Sequence, residues 1–139
     1  MRKWTRAVVA AVCLALALPA LLDSAAQDVE ATPQAKAYRA NLKAVAAGDY
    51  DAYRKTLSSA TLKQMDEQTK GKSPKEVMEF LKMMSTTDLK LTSVKVDGKK
   101  ASLMATGKMD GAAVVGDIAM EEEGGSWKVG KGSWEPAKK

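Results

Sequence analysis

The last third of the chain, residues 87–134, constrains the fold most. It reads as four β-strands in a meander, because three turn signals divide it into runs of alternating apolar and polar residues. Asp97-Gly98 is a two-residue hairpin signal, since the favoured turn needs positive φ at both central positions. A loop around Asp110-Gly111 and the pair Gly124-Gly125 supply the other reversals. Leu89, Leu91, Val94 and Val96 carry the first strand, and the break in alternation near Thr92-Ser93 predicts a bulge. Ala101, Leu103 and Ala105 alternate with Ser102, Met104 and Thr106 on the second. In the third, Val114, Ile118 and Met120 share one face, opposite Val115, Asp117, Ala119 and Glu121. Trp127-Lys128-Val129 opens the fourth.

A meander buries one face only if something covers it, and the preceding segment is patterned as helices. Thr32-Pro33 is an N-cap followed by proline at the first helical position. Ala35, Tyr38, Leu42 and Val45 then recur at helical spacing until Gly48, which predicts a helix over 33–47. Asp49 caps a short second helix through Leu57, with Tyr50, Tyr53 and Leu57 on one face. Ser58-Ser59 interrupts it and caps a third over 60–70, with Leu62 and Met65 inward, ended by Gly71. Ser73-Pro74-Lys75-Glu76 is a capping box with proline at N1. Val77, Phe80, Leu81 and Met84 follow at i, i+3, i+4 and i+7, a face expected to lie on the sheet. Helices first and an antiparallel meander after them make an α+β domain, with N-terminal helices packed on a four-stranded sheet.

The first residues read differently. Arg2, Lys3 and Arg6 precede an uncharged run over 7–22 that contains Pro19, and Ser24 and Ala26 place small residues at −3 and −1. This predicts a secretory signal peptide over 1–26, cut after Ala26. The run is shorter than the 18 or more apolar residues of a spanning helix. A flexible mature N-terminus (27–32), one domain (33–134) and a disordered tail (135–139) are expected, periplasmic or secreted, with no membrane attachment after cleavage.

Cleavage would leave 113 residues, enough for one core. It would also remove Cys13, the single cysteine, and the chain has no histidine. Disulfides, thiol nucleophiles, thiolate metal sites and imidazole chemistry are thereby excluded from the mature domain. Its cations are nearly all lysines, spread along the chain without the clustering and stacking aromatics of a nucleic-acid surface, so no nucleic-acid partner is expected. Seven methionines, at 65, 78, 83, 84, 104, 109 and 120, could serve copper(I). Their helix-face and strand positions favour filling gaps in an aromatic-poor core. Glu121-Glu122-Glu123 lacks the spaced acids and glycine of a calcium loop and reads as a solvated turn. No metal or cofactor is expected.

Four stretches together carry a resemblance: Gly48-Asp49-Tyr50-Asp51-Ala52-Tyr53, Leu57-Ser58-Ser59, Ser93-Val94-Lys95-Val96-Asp97-Gly98-Lys99-Lys100-Ala101 and Glu122-Glu123-Gly124-Gly125-Ser126-Trp127-Lys128-Val129. Over residues 33–134 the chain resembles the nuclear transport factor 2-like (cystatin-like α+β cone) superfamily. The nearest look is to small secreted bacterial members labelled lumazine-binding-like or SnoaL-like. The resemblance implies a strongly curved sheet that wraps the helices and leaves a cone-shaped pocket. Enzymes of that superfamily use carboxylates and tyrosines in the cone, or a His-Asp pair, which the absence of histidine excludes here. Other members only bind or dimerise.

On that implication, the catalytic candidates are Asp117 as base with Tyr53 and Tyr38 as donors to a developing enolate. Alternation places Asp117 opposite Ile118 and Met120, which favours an outward carboxylate. The candidate ligand-binding residues are Tyr38, Tyr53, Phe80, Met84 and Trp134, the last at a pocket rim or a dimer surface. Two functions compete. One is an exported non-enzymatic module holding a small apolar ligand or a protein partner on the curved sheet. The other is a small-molecule isomerase or dehydratase. A homodimer through the outer sheet face is a third possibility.

Overall fold

Local signals decide where each helix begins. In the computed structural model, which describes residues 28–139, the Thr32 hydroxyl accepts from Ala35 N at 3.2 Å and Pro33 opens α1 (Pro33–Ala47). Gly48, at φ +69°, ends it by donating its N–H to the Ala44 and Val45 carbonyls, a backbone conformation in which any side chain would be strained. Asp49 caps α2 (Tyr50–Lys55) and Ser58 caps α3 (Ser59–Gln68). The capping box is present at α4 (Pro74–Met83): Ser73 Oγ accepts from Glu76 N at 3.3 Å, and the Glu76 carboxylate accepts from Ser73 N at 2.7 Å.

The signal peptide expected over 1–26 lies outside the described residues. The stretch expected to be flexible up to residue 32 is structured from Asp28 onward. It holds a turn of 3-10 helix at Val29–Ala31, and Arg39 of α1 donates to Glu30 with Nε 3.1 Å from Oε2.

The meander is as the sequence predicts, an α+β arrangement with four helices followed by a curved antiparallel sheet. Strands β1 (Thr87–Asp97), β2 (Lys100–Met109), β3 (Ala112–Glu123) and β4 (Ser126–Pro136) pair in the order β1-β2-β3-β4. The bulge expected near Thr92-Ser93 appears as a register shift between Leu91 and Ser93. Two more shifts occur, between Thr87 and Lys90 in β1 and opposite Ile118–Met120 in β4. Each bulge bends its strand and increases the local twist, so three of them curve the sheet. Residues 135–137, expected to belong to a disordered tail, are joined to the sheet: Glu135 and Pro136 pair with Val115 and Val114, and Ala137 N donates to Ala113 O at 3.0 Å.

The core lies on the inner face of this curve. Register pairs Leu103 with Ile118 and Ala101 with Met120, and these four join Ala105, Val129, Leu57 and Tyr38 in one buried cluster. Leu103 is 0% exposed and Ile118 and Met120 1%. Full burial of one such side chain contributes about 1.5–3 kcal/mol. From the helical side, α1 meets β1, β2 and β4 and covers the face.

Two placements could not be anticipated locally. Residues 56–58 run beside β4 as a short parallel bridge, with Val129 N donating to Thr56 O at 2.7 Å and Ser58 N to Val129 O at 2.9 Å. They satisfy part of an otherwise open sheet edge. And α4 does not lie on the sheet. It packs on α1 and α2, because α1 already occupies the inner face. Val77 and Met78 are buried, while Phe80, Met83 and Met84 are 53%, 74% and 50% exposed. The expectation that the α4 stripe faces the sheet is therefore corrected.

Candidate functional site

A cleft of about 490 Å³ is lined by α3 and α4, by Tyr53 of α2 and by Lys131 of β4. That volume lies within the range of small-molecule sites. Tyr53, Met65, Val77, Phe80 and Leu81 form its apolar wall. Thr61, Gln64, Gln68 and Thr69 on α3 and its C-terminal end add hydroxyls and amides. No acidic residue lines it. Lys72 holds its ammonium 5.8 Å from the centre of the Phe80 ring, a cation–π contact at an exposed site.

Polar ties hold α3 in place. Arg54 forks onto Asp66, with Nη2 3.1 Å from Oδ2, and donates to the Tyr50 hydroxyl at 3.3 Å, joining α2 to α3. Glu123, at the end of β3, accepts from Ser59 N at 2.9 Å and from the Ser59 hydroxyl. It thus caps the N-terminus of α3, where a carboxylate also meets the positive end of the helix dipole. The Ser59 hydroxyl and amide hold the Glu123 carboxyl below the usual carboxylate range. The solvated turn read at Glu121-Glu122-Glu123 is corrected here: all three residues belong to β3, and one is a cap reached across 64 positions of sequence.

A smaller cavity of about 140 Å³ lies between α1, α4 and the sheet. Four of the five residues predicted to bind ligand border it: Tyr38, Tyr53, Met84 and Trp134. Phe80 borders the larger cleft instead, and Tyr53 and Leu81 border both. The Trp134 ring rests on Gly116, where an added Cβ would fall 2.7 Å from the indole. Burial pushes the Tyr38 phenol up to about 12; neighbouring Arg39 partly offsets this and Tyr53 adds to it. Burial raises Tyr53 as well. Both phenols are therefore neutral near pH 7 and can act as donors or apolar walls. The inner sheet face, where the sequence placed a ligand, is otherwise filled by Tyr38, Leu57, Leu103, Ile118 and Met120.

Asp117 does not join the tyrosines. It stands exposed on the outer sheet face, where the Ser102 hydroxyl donates to it, in a concavity shared with Met104, Lys131, Ser133 and Glu135. Acid–base catalysis needs base and donor within hydrogen-bond reach of one substrate. Here the sheet separates Asp117 from Tyr38 and Tyr53, so the three catalytic candidates do not form a site. Among the described residues no group of three or more His, Cys, Asp or Glu could hold a metal ion.

Sequence reasoning missed Lys72 and Lys131 as members of the cleft, and placed Met65 and Leu81 in a core. Nothing in their local spacing shows that α3, α4 and the β4 bulge share a cavity.

Neither a family model nor a curated protein matches the chain. Among solved structures it is similar to the solution structure of a SEC-C motif containing protein from Rhodopseudomonas palustris, with a TM-score of 0.51 and 13% identity, covering 70% of this chain and 74% of that one. At that identity the likeness speaks for the fold. It is to a different family from the nuclear transport factor 2-like proteins, and the resemblance to that superfamily and its lumazine-binding-like and SnoaL-like members is corrected accordingly. The stretches that carried it are caps, hairpin turns and alternation, which any α+β meander with leading helices requires.

Proposed function

We propose that this chain is an exported, non-enzymatic binding module whose small, largely apolar ligand sits in the α3–α4 cleft. The observation that carries the reading is the lining. Five apolar side chains face about 490 Å³ of space edged by hydroxyls and amides, the composition expected of a small-molecule site. Exposed Phe80, Met83 and Met84 extend an apolar lip from it along α4. Solvent-facing side chains of this size at helical spacing are uncommon without an interaction to cover them. The separation of Asp117 from the tyrosines supports binding over catalysis. Export is supported by the basic start, the uncharged run over 7–22 and the small residues at 24 and 26.

The test is a titration with N-phenyl-1-naphthylamine, a neutral probe that fluoresces in apolar surroundings. The domain is expected to give a saturable, one-to-one response. The variant Gln64→Trp, at an exposed α3 position on the cleft, fills the space and is expected to abolish it. Equal responses from both proteins would place the binding elsewhere. Export is checked by the intact mass of protein recovered from a bacterial host: a cut after Ala26 is expected, and the full-length mass contradicts it.

A further inference from the structure

The α3–α4 cleft is asymmetric in charge, and this names the class of ligand. Two ammonium groups line it and no carboxylate does. The other charged ties near it are already committed: Arg54 to Asp66, the Glu76 carboxylate to the amide of Ser73, and Glu123 to Ser59. Lys72 and Lys131 form no ion pair with any acid among the described residues, whereas Lys75 pairs with Glu79 and Lys108 with Asp88. The Glu76 carboxylate is turned to the Ser73 amide, which with lesser help from the Lys72 charge holds it below the usual carboxylate range, and the Lys72 ammonium's own contact is with the face of Phe80. Lys131 sits at the β4 bulge, where it also borders the outer concavity holding Asp117 and Glu135. An apolar wall with two unpaired cations in the same lining fits a molecule that is apolar over most of its surface and carries one negative charge.

Resting on the binding reading above, we infer that the cleft is selective for a monoanionic amphiphile, its carboxylate or sulfonate held by Lys72 and Lys131 and its apolar body lying on Phe80, Leu81 and Met65. A cation would meet two like charges and no partner. A neutral molecule of the same shape would keep the apolar contacts and lose the charge-assisted hydrogen bonds, which are stronger than neutral ones.

The experiment uses two probes with one skeleton, 8-anilinonaphthalene-1-sulfonate and neutral N-phenyl-1-naphthylamine, titrated into the domain and into Lys72→Gln, Lys131→Gln and the double variant. Both lysines are exposed and tie no elements together, so the variants are expected to fold, as circular dichroism will show. The anionic probe is expected to bind about tenfold more tightly than the neutral one, with each substitution costing it about threefold, as partly exposed charge pairs do. The neutral probe is expected to lose less affinity than the anionic one in every variant, and added salt is expected to weaken only the anionic probe. Equal affinity of the two probes, or an anionic affinity untouched in the double variant, overturns the charge selectivity and leaves the binding module standing. If neither probe binds, the binding reading fails and this inference with it.

Discussion

Helices α1 and α4 begin in the same way and end up doing opposite things. Each has a hydroxyl N-cap and proline at its first position. Of the two, α4 has the stronger local signals, a full capping box and the sharper apolar stripe. Yet α1 is the helix that enters the core, burying Ala35, Tyr38, Asn41, Ala44 and Val45. On α4 only Val77 and Met78 are buried, and three large apolar side chains remain in solvent. Local codes fix where a helix starts and that it forms. Which face is covered depends on which helix packs on the sheet, and here α1 takes the inner surface while α4 is left as the wall of a cleft. One helix is therefore part of the core, and the other keeps its apolar stripe exposed, where the proposed binding function would use it.

The largest test of this contrast is in the core under α1. Leu103→Ala, at a fully buried position beside Tyr38, is expected to destabilise the domain by about 3 kcal/mol, read from urea unfolding. A loss under 1 kcal/mol would mean that the sheet and α1 are not packed as described. Next comes pH. Tyr38 ionises at about 12 in the folded state against 10.0 ordinarily. Its contribution is intact below pH 10 and is lost as pH rises toward 12, because the unfolded chain releases that proton first. The loss totals roughly 2–3 kcal/mol. Tyr38→Phe is expected to flatten this alkaline decline, and an unchanged slope would place the phenol in water. Ser73→Ala, which breaks the α4 capping box, is expected to cost about 1 kcal/mol. Smallest is Met83→Gln on the exposed side of α4, expected to leave stability within about 0.5 kcal/mol. A cost as large as that of Leu103→Ala would erase the distinction between the two helices.

Much of the architecture was legible in the sequence because it is locally encoded. The helix over 33–47 is ended by a glycine that must adopt positive φ, and the box at Ser73 specifies its own helix start. The β1–β2 hairpin closes one residue later than Asp97-Gly98 suggested: Asp97 pairs with Lys100, and Gly98, at φ +59°, and Lys99 form the turn. The bulge near Thr92 shows as a slip in alternation. What could not be read joins distant residues. The Glu123 cap on α3, the pairing of residues 56–58 with β4 and the seat of Trp134 on Gly116 all depend on which surfaces meet after the chain is folded. The site shows the same division. Tyr53 and Phe80 could be named because aromatics on helix faces are conspicuous, whereas Lys72 and Lys131 look like any solvated lysine until α3, α4 and the β4 bulge surround one volume. Alternation alone was enough to turn Asp117 outward, away from the tyrosines it was paired with as a catalytic candidate.

The central claim is that recognition belongs to the α3–α4 cleft and not to either face of the sheet. Amide chemical-shift mapping during titration with N-phenyl-1-naphthylamine tests it most directly. The account predicts the largest shifts at Thr61, Gln64, Gln68, Thr69, Lys72 and Phe80, with Ser102, Asp117 and Ser133 on the outer sheet face unmoved. Shifts concentrated on the outer face, or none at saturating probe, would contradict it.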